Sequence, residues 1–331
     1  MDEHSDDVRH GPRSAVVVNP VKVPDLDLLR RTIVEGLATA GWPEPMWLET
    51  TVEDSGRGQA TKAVENGAEV VFVCGGDGTV MACVTALAGT DVALAVLPAG
   101  TGNLLAANLG LSTDAATGVE VALEGGRRRI DVGVVGDQCF AVMAGMGFDA
   151  QMLAGTSETA KKRIGWVAYI FGAMRHLRDR PMRVTIKLDG KRPLRRRPRT
   201  VIVGNVGRLQ GGVRLLSEAE PDDGLLDVAV LSPRTVGHWM ALGWAVVRRH
   251  RSVPLMETFT ARRVEIRSNR PQPRQLDGDL IDPGRLLLVT VRPNALLLCV
   301  PQPASDPDLA QDSEAVSRAA EDVREAAREA G

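Results

Sequence analysis

The sequence predicts two domains: an α/β domain on a doubly wound parallel sheet over residues 14–131, and a β-rich, β-sandwich-like domain over 132–300. Three observations predict it. The length of 331 residues suits two domains at about 100–200 residues each. The first 130 residues alternate strand and helix, and their strands are continuous apolar runs, as expected for a parallel sheet covered on both faces. Beyond them, strand-like runs follow one another almost without helices.

In chain order, 14–19 is an apolar strand stopped by Pro20, and 26–40 has helical periodicity ending at Gly41. A short strand at 46–50 and a helix at 58–66, closed by Gly67, come next. The buried strand 69–74 enters Gly75-Gly76-Asp77-Gly78-Thr79, and a helix over 80–88 leaves it. The buried strand 92–97 enters Pro98-Ala99-Gly100-Thr101-Gly102, and a helix over 103–109 follows. The β-rich part offers strands at 129–135, 138–144, 182–188, 200–205, 226–231, 258–267, 285–291 and 295–300, with helices only near 158–178 and 236–249. Residues 301–331 read as a Pro-containing linker and an acidic helix or tail.

Composition narrows the function. The 44% hydrophobic and 25% charged fractions fit a globular chain and exclude a disordered or disulfide-stapled one. Five Phe, five Trp and one Tyr leave few stacking platforms, which argues against a single-strand nucleic-acid reader. The net charge of −2 hides a basic stretch, 161–199, where 14 Lys and Arg face Asp179 and Asp189. Such density suits an anionic bilayer surface, or simply a solvated face. Trp166, Tyr169 and Phe171 beside it read as core packing, or as a membrane-touching amphipathic helix. Cys74, Cys83, Cys139 and Cys299 form no C-x-x-C pair and read as buried free thiols of a reducing compartment. The polar first 12 residues show no secretory signal, and no run of about 18 apolar residues spans a membrane. The five His show no ligand spacing.

Two Gly-rich turns carry the chemistry. Glycine permits positive φ and close approach of N–H groups to a ligand, and the helix that follows offers its positive end to the same point. That suits phosphate. Asp77 would repel bare phosphate unless a cation bridges them or it points elsewhere; together these features imply a metal–nucleotide site, and the loop read alone is a tight βα turn. The second turn, at Gly100, also sits at a strand's carboxyl end, where open α/β sheets bind ligands. Thr79 and Thr101 offer hydroxyls, and Asn103 an N-cap or ligand contact. No Walker A loop and no complete G-x-G-x-x-G fingerprint occurs.

In these motifs the chain resembles the diacylglycerol kinase catalytic domain family, which includes bacterial soluble lipid kinases and sphingosine kinases. GGDGT at 75–79 and LPAGTGN at 97–103 carry the resemblance, joined in order by Asn19-Pro20, Glu49-Thr50-Thr51, Ile130-Asp131-Val132-Gly133, GMGFD at 145–149, PDDGLLD at 221–227 and Leu276-Asp277-Gly278-Asp279. It implies ATP-dependent phosphorylation of a membrane lipid's hydroxyl, most readily diacylglycerol to phosphatidic acid. Sphingoid bases or other lipids are alternatives, and a non-catalytic nucleotide-binding regulator is a rival of another class.

It also implies site residues. The base lies in the 276–279 turn, with Asp277 as first choice and Asp279, shorter by a methylene than the family's Glu, as alternative or partner. Read alone, Asp277-Gly278 is a hairpin turn. Asn19, Thr50 (not separable from Thr51), Gly75, Gly76, Asp77, Gly78, Thr79, Val80 and Thr101 occupy nucleotide positions, beside Gly100 and Asn103. Asp77 and Asp131 fall in the Mg²⁺ network. A second metal site takes the Glu220 carbonyl, the Asp223 side chain and the Leu225 carbonyl. Leu104 replaces an Asp of the family, and Val21-Lys22-Val23 departs from its Ser or Gly. A cytoplasmic enzyme, peripheral at the inner face of an anionic membrane, with no nucleic-acid partner, is expected; a homodimer stays open. NAD kinases share GGDGT, but their TPTGSTAY-like run is absent.

Overall fold

The computed structural model describes residues 11–100, 103–111, 114–147, 181–206, 216, 220–233, 235, 238 and 255–301. Thr101, the expected helices at 158–178 and 236–249, the aromatic residues from Trp166 to Phe171 and the tail beyond Pro301 lie outside these residues.

β1 (Ser14–Val18), β2 (Met46–Glu49), β3 (Val70–Gly75) and β4 (Ala93–Pro98) pair in parallel in the order 2-1-3-4. Their runs do not alternate because both faces are covered. Val16, Val18, Phe72 and Ala95 pack with α1 (Leu26–Thr39) and α5 (Ala115–Glu124). Ala15, Val17, Val73 and Val96 pack with α2 (Arg57–Glu65) and α3 (Asp77–Leu87). Ile33 and Leu37 give α1 its fully buried stripe, each worth about 1.5–3 kcal/mol. Asp25 caps that helix by accepting the Leu28 N–H at 2.8 Å. α4 (Leu104–Leu109) follows β4.

The sequence pattern does not announce α5. Asp114 caps it, accepting the Thr117 N–H at 3.1 Å, but Gly118 weakens its helical pattern. That glycine is needed because Leu97 lies where a side chain would start.

The remaining strands are β5 (Gly126–Val135), β6 (Gln138–Phe140), β7 (Met143–Gly147), β8 (Val184–Leu188), β9 (Leu194–Arg196), β10 (Thr200–Gly204), β11 (Leu226–Leu231), β12 (Met256–Ala261), β13 (Arg263–Leu276) and β14 (Asp279–Val300). They join the parallel strands in one mixed sheet ordered β12-β11-β10-β7-β13-β14-β4-β3-β1-β2. A second core under β7, β8, β10, β11, β13 and β14 is built around Phe140, Met146, Ile186, Leu226 and Ile266.

β14 joins the two halves. The expected strands at 285–291 and 295–300 are one strand, kinked where Asn294 takes φ +49° and the register slips between Arg292 and Leu296. Its first part pairs with β13, whereas Leu297 and Leu298 lie parallel to Ala93 and Leu94 of β4. The expected strand 138–144 divides into β6 and β7, because the N–H groups of Ala141 and Val142 leave the ladder for the Asp277 carboxylate. The expected strand 258–267 breaks at Arg262, whose N–H goes to Asp189. All four cysteines are buried and free. Among the described residues no helix is long and apolar enough to cross a membrane.

Candidate active site

The carboxyl ends of β1, β3 and β4 meet the tip of the β13–β14 hairpin, residues 277–278. Gly75 ends β3, Gly76 precedes α3, and Asp77, Gly78 and Thr79 already form the first helical turn. The expected positive φ is absent: Gly76 has φ −89°, and Gly75, Gly78 and Gly100 are not in the left-handed region either. These glycines provide space. A Cβ on Gly100 would sit 2.7 Å from the Gly76 Cα, so the two turns touch backbone to backbone. A Cβ on Gly75 would meet Thr79 Cβ at 2.7 Å, and one on Gly78 would strike the Asp279 carboxylate. The Ala99 N–H donates to the Gly75 carbonyl at 3.0 Å, tying one turn to the other.

Asn103, in the left-handed conformation, closes its own turn. Its Oδ1 accepts the Gly100 N–H at 3.1 Å, and its Nδ2 donates to the Gly100 carbonyl at 2.7 Å. Asn19 holds the β1 end: its N–H reaches the Cys74 carbonyl, its Oδ1 accepts the Val21 N–H, and its Nδ2 approaches Thr79 Oγ1 at 3.5 Å. Thr50 and Thr51 separate here. Thr50 is buried beside β1, while exposed Thr51 uses its hydroxyl to accept the Asp54 N–H. Val80, also buried, packs α3 onto the sheet.

Three carboxylates converge at the hairpin tip. Asp77 Oδ1 accepts the Leu104 N–H at 2.6 Å, so Leu104 contributes through its backbone. Burial pushes the Asp77 pKa up to about 6, against that hydrogen bond and with help from the Asp279 charge. Asp279 is raised by burial and opposed by the Lys22 ammonium, which places the β1 turn beside the hairpin. Asp277 is wholly enclosed. Burial lifts it to about 7, although its carboxylate accepts the N–H groups of Met143 (2.7 Å), Ala141 (2.9 Å) and Val142 (2.9 Å). Gln275 Oε1 accepts the Gly278 N–H at 2.7 Å, completing the clamp on the tip. Spacing gives no sign of the 141–143 backbone, because its partner Asp277 is more than 130 residues away.

Sequence comparison settles the family. A probable lipid kinase, YegS-like, from Pseudomonas fluorescens is 31% identical over 279 residues, covering 82% of this chain and 90% of that one. The diacylglycerol kinase catalytic domain matches residues 13–135, and the YegS C-terminal NAD kinase beta sandwich-like domain matches 141–300. The chain belongs to the YegS-like lipid kinases of the diacylglycerol kinase family. A diacylglycerol kinase of Mycobacterium tuberculosis is 31% identical over 175 residues, 51% of this chain and 56% of its own. The fold matches a crystal structure of a putative diacylglycerol kinase from Bacillus anthracis with TM-score 0.71 at 22% identity, covering 87% of this chain and 97% of that one.

Backbone hydrogen bonds bear on two of the expected site residues. Asp277 is held in place, its Oδ1 accepting two N–H groups and its Oδ2 one, so Asp279 is the less engaged of the two carboxylates in this turn. Asp131 does not join Asp77. Its oxygens accept the Gly224 N–H at 2.6 Å and the Asn294 N–H at 2.7 Å, and burial, with the charges of Asp223 and Asp222, raises its pKa. It ties β5 to the 221–224 turn and to the β14 kink. Near it, Arg128 pairs with Asp222 at 2.8 Å. Asp223 Oδ1 accepts the Leu225 N–H at 2.8 Å, and Glu220 is exposed. Among the described residues no three His, Cys, Asp or Glu side chains are grouped to hold a metal.

Proposed function

We propose that this lipid kinase transfers the γ-phosphoryl of ATP to the hydroxyl of diacylglycerol, giving phosphatidic acid and ADP. One observation carries the reading. The β13–β14 hairpin brings Asp279 from the β-rich half onto the first turn of α3, at the point where Gly76 and Gly100 meet. Phosphoryl transfer needs that arrangement: phosphates on N–H groups and a helix N-terminus, with an acceptor for the attacking hydroxyl's proton opposite them.

In this reading the triphosphate lies along Gly75 to Thr79 and Gly100, with Asn19, Thr50 and Asn103 shaping the walls. Asp279 takes the hydroxyl proton. The hydroxyl oxygen forms its bond to the γ-phosphorus as the bond to the β,γ-bridging oxygen breaks, and ADP departs with those electrons. Asp77 suits Mg²⁺: it is a half-buried carboxylate whose proton affinity is raised by burial and by Asp279. The cation, when bound, offsets charge on the β- and γ-phosphates.

The test supplies a panel of diacylglycerol, sphingoid base and monoacylglycerol in mixed micelles with labelled ATP. Label in phosphatidic acid above the other products supports the assignment. Label in another lipid moves it to that lipid, and ATP binding without any lipid product favours a nucleotide-binding regulator. Gly100→Ala checks the nucleotide cradle. The new methyl meets backbone rather than a flexible side chain, so overpacking of about 1–3 kcal/mol is expected to separate the turns. Calorimetric titration with ATP–Mg²⁺ should show affinity falling about tenfold or more.

A further inference from the structure

We propose that the mouth of the site docks on the lipid bilayer by inserting Val21, Val52 and Leu280, three apolar side chains on three different turns around it; this rests on the lipid kinase reading. Val52 is 98% exposed and Val21 89%, the two most exposed large apolar residues among those described; Leu28 at 53% and Leu280 at 52% come next. Single exposed apolar residues need no explanation, but a cluster at one rim does.

Their clustering follows from the topology. Val18 of β1 and Glu49 of β2 are register partners, and Val21 and Val52 each lie three residues beyond them, on neighbouring turns. Leu280 follows Asp279, whose carboxylate lies against Gly78, and Asn19, two residues before Val21, reaches Thr79, so both turns meet the first turn of α3. Leu28 stands in the first turn of α1, at the same end of the sheet. Two nearby acids are already engaged as caps: Asp25 accepts the Leu28 N–H, and Asp54 accepts those of Gly56 and Gly58. Both caps keep their charge, and exposed Asp27 and Glu53 add to it, so among the described residues this rim offers an anionic surface little attraction and apolar insertion supplies the hold.

The basic strands cannot substitute. β8 meets β13 between Val264 and Ser268, and Ser268 lies nine residues from Asp277, roughly 30 Å of extended strand. A bilayer gripped only there would leave the lipid hydroxyl far from Asp279.

The experiment is flotation of the full chain with phosphatidylcholine vesicles containing a minority of phosphatidylglycerol, comparing wild type with Val21→Ser/Val52→Ser and with Leu280→Ser. The double variant is expected to lose about ten- to a hundredfold in vesicle partition, and partition of the wild type to persist in high salt. Its phosphorylation of vesicle-borne lipid should fall in parallel, while turnover of a short-chain, monomeric lipid stays at the wild-type rate. Wild-type partition in both variants, or binding abolished by salt in the wild type, would overturn the proposal. Flotation reads docking without turnover, so a chain that floats through these residues but phosphorylates no lipid would overturn the activity and leave the surface standing.

Discussion

Asp279→Asn is expected to reduce phosphoryl transfer by about 10²- to 10⁴-fold, the usual worth of a positioned base, while ATP–Mg²⁺ still binds. Asn keeps the shape of the side chain at the hairpin tip but cannot accept the proton. The acid limb of the pH–rate profile should belong to this group. Burial raises the carboxyl and Lys22 opposes the rise, so Lys22→Ala is expected to move the limb to higher pH. Stability should change in the opposite sense to activity. A carboxylate whose folded pKa is raised stabilises the fold fully below its unfolded pKa, near 4, and loses that contribution as pH climbs through the folded value. For Asp77 the window runs from about 4 to about 6. At pH 7 to 8 the substrate-free enzyme therefore holds an ionised Asp77 against its preference, and burial penalises the charged form of Asp279 in the same sense. Asp279→Asn is expected to melt higher than wild type there, with the difference closing below pH 4. Turnover near wild type in Asp279→Asn, with an unchanged acid limb, would remove Asp279 from the proton transfer.

Much of this arrangement was legible in the sequence, and the legible part has a common physical origin. β1, β3 and β4 announced themselves because strands buried on both faces must be apolar at every position, as Val70 to Cys74 are. The Gly turns were visible because two backbones in contact exclude every other residue. What stayed hidden depends on contacts that only the folded chain makes. The glycines at 75, 76, 78 and 100 looked like residues chosen for left-handed φ, yet they answer to Thr79, Gly76 and Asp279 across space. Gly133 likewise answers to the Phe140 ring. Nothing local distinguishes Asp277, which accepts N–H groups from residues more than 130 positions earlier, from Asp279, which does not. The partners of Asp131 are hidden for the same reason. Its motif placed it with Asp77, but the turn at 224 and the kink at 294 hold both of its oxygens. β14 was divided in sequence because Pro293-Asn294 carries a turn signature, and the pairings on either side of the kink override it.

Asp277→Ala is expected to cost about 3–5 kcal/mol of stability, because it leaves three buried N–H groups, those of Ala141, Val142 and Met143, without an acceptor. Those residues form the junction between β6 and β7, and the Asp277 N–H returns a bond to the Met143 carbonyl at 2.8 Å. Loss of the carboxylate therefore loosens the junction and the hairpin tip together. Denaturant unfolding should show the lower midpoint, and hydrogen exchange should report the loss locally, at the amides of 141–143. Activity falls with it, since Asp279 rides on the same tip. Asp277→Asn separates positioning from chemistry. The amide oxygen can keep part of the N–H set, the residue carries no charge, and the neighbour at 279 is untouched. A positioning role leaves this variant with measurable turnover, an acid limb at the wild-type pH and a kcat that tracks its stability. A base at 277 would instead give a well-folded protein with turnover gone and the acid limb with it. Because burial holds Asp277 at about 7, a neutral side chain there is close to what the folded protein already tolerates near neutrality, which is why the amide should fold where alanine does not.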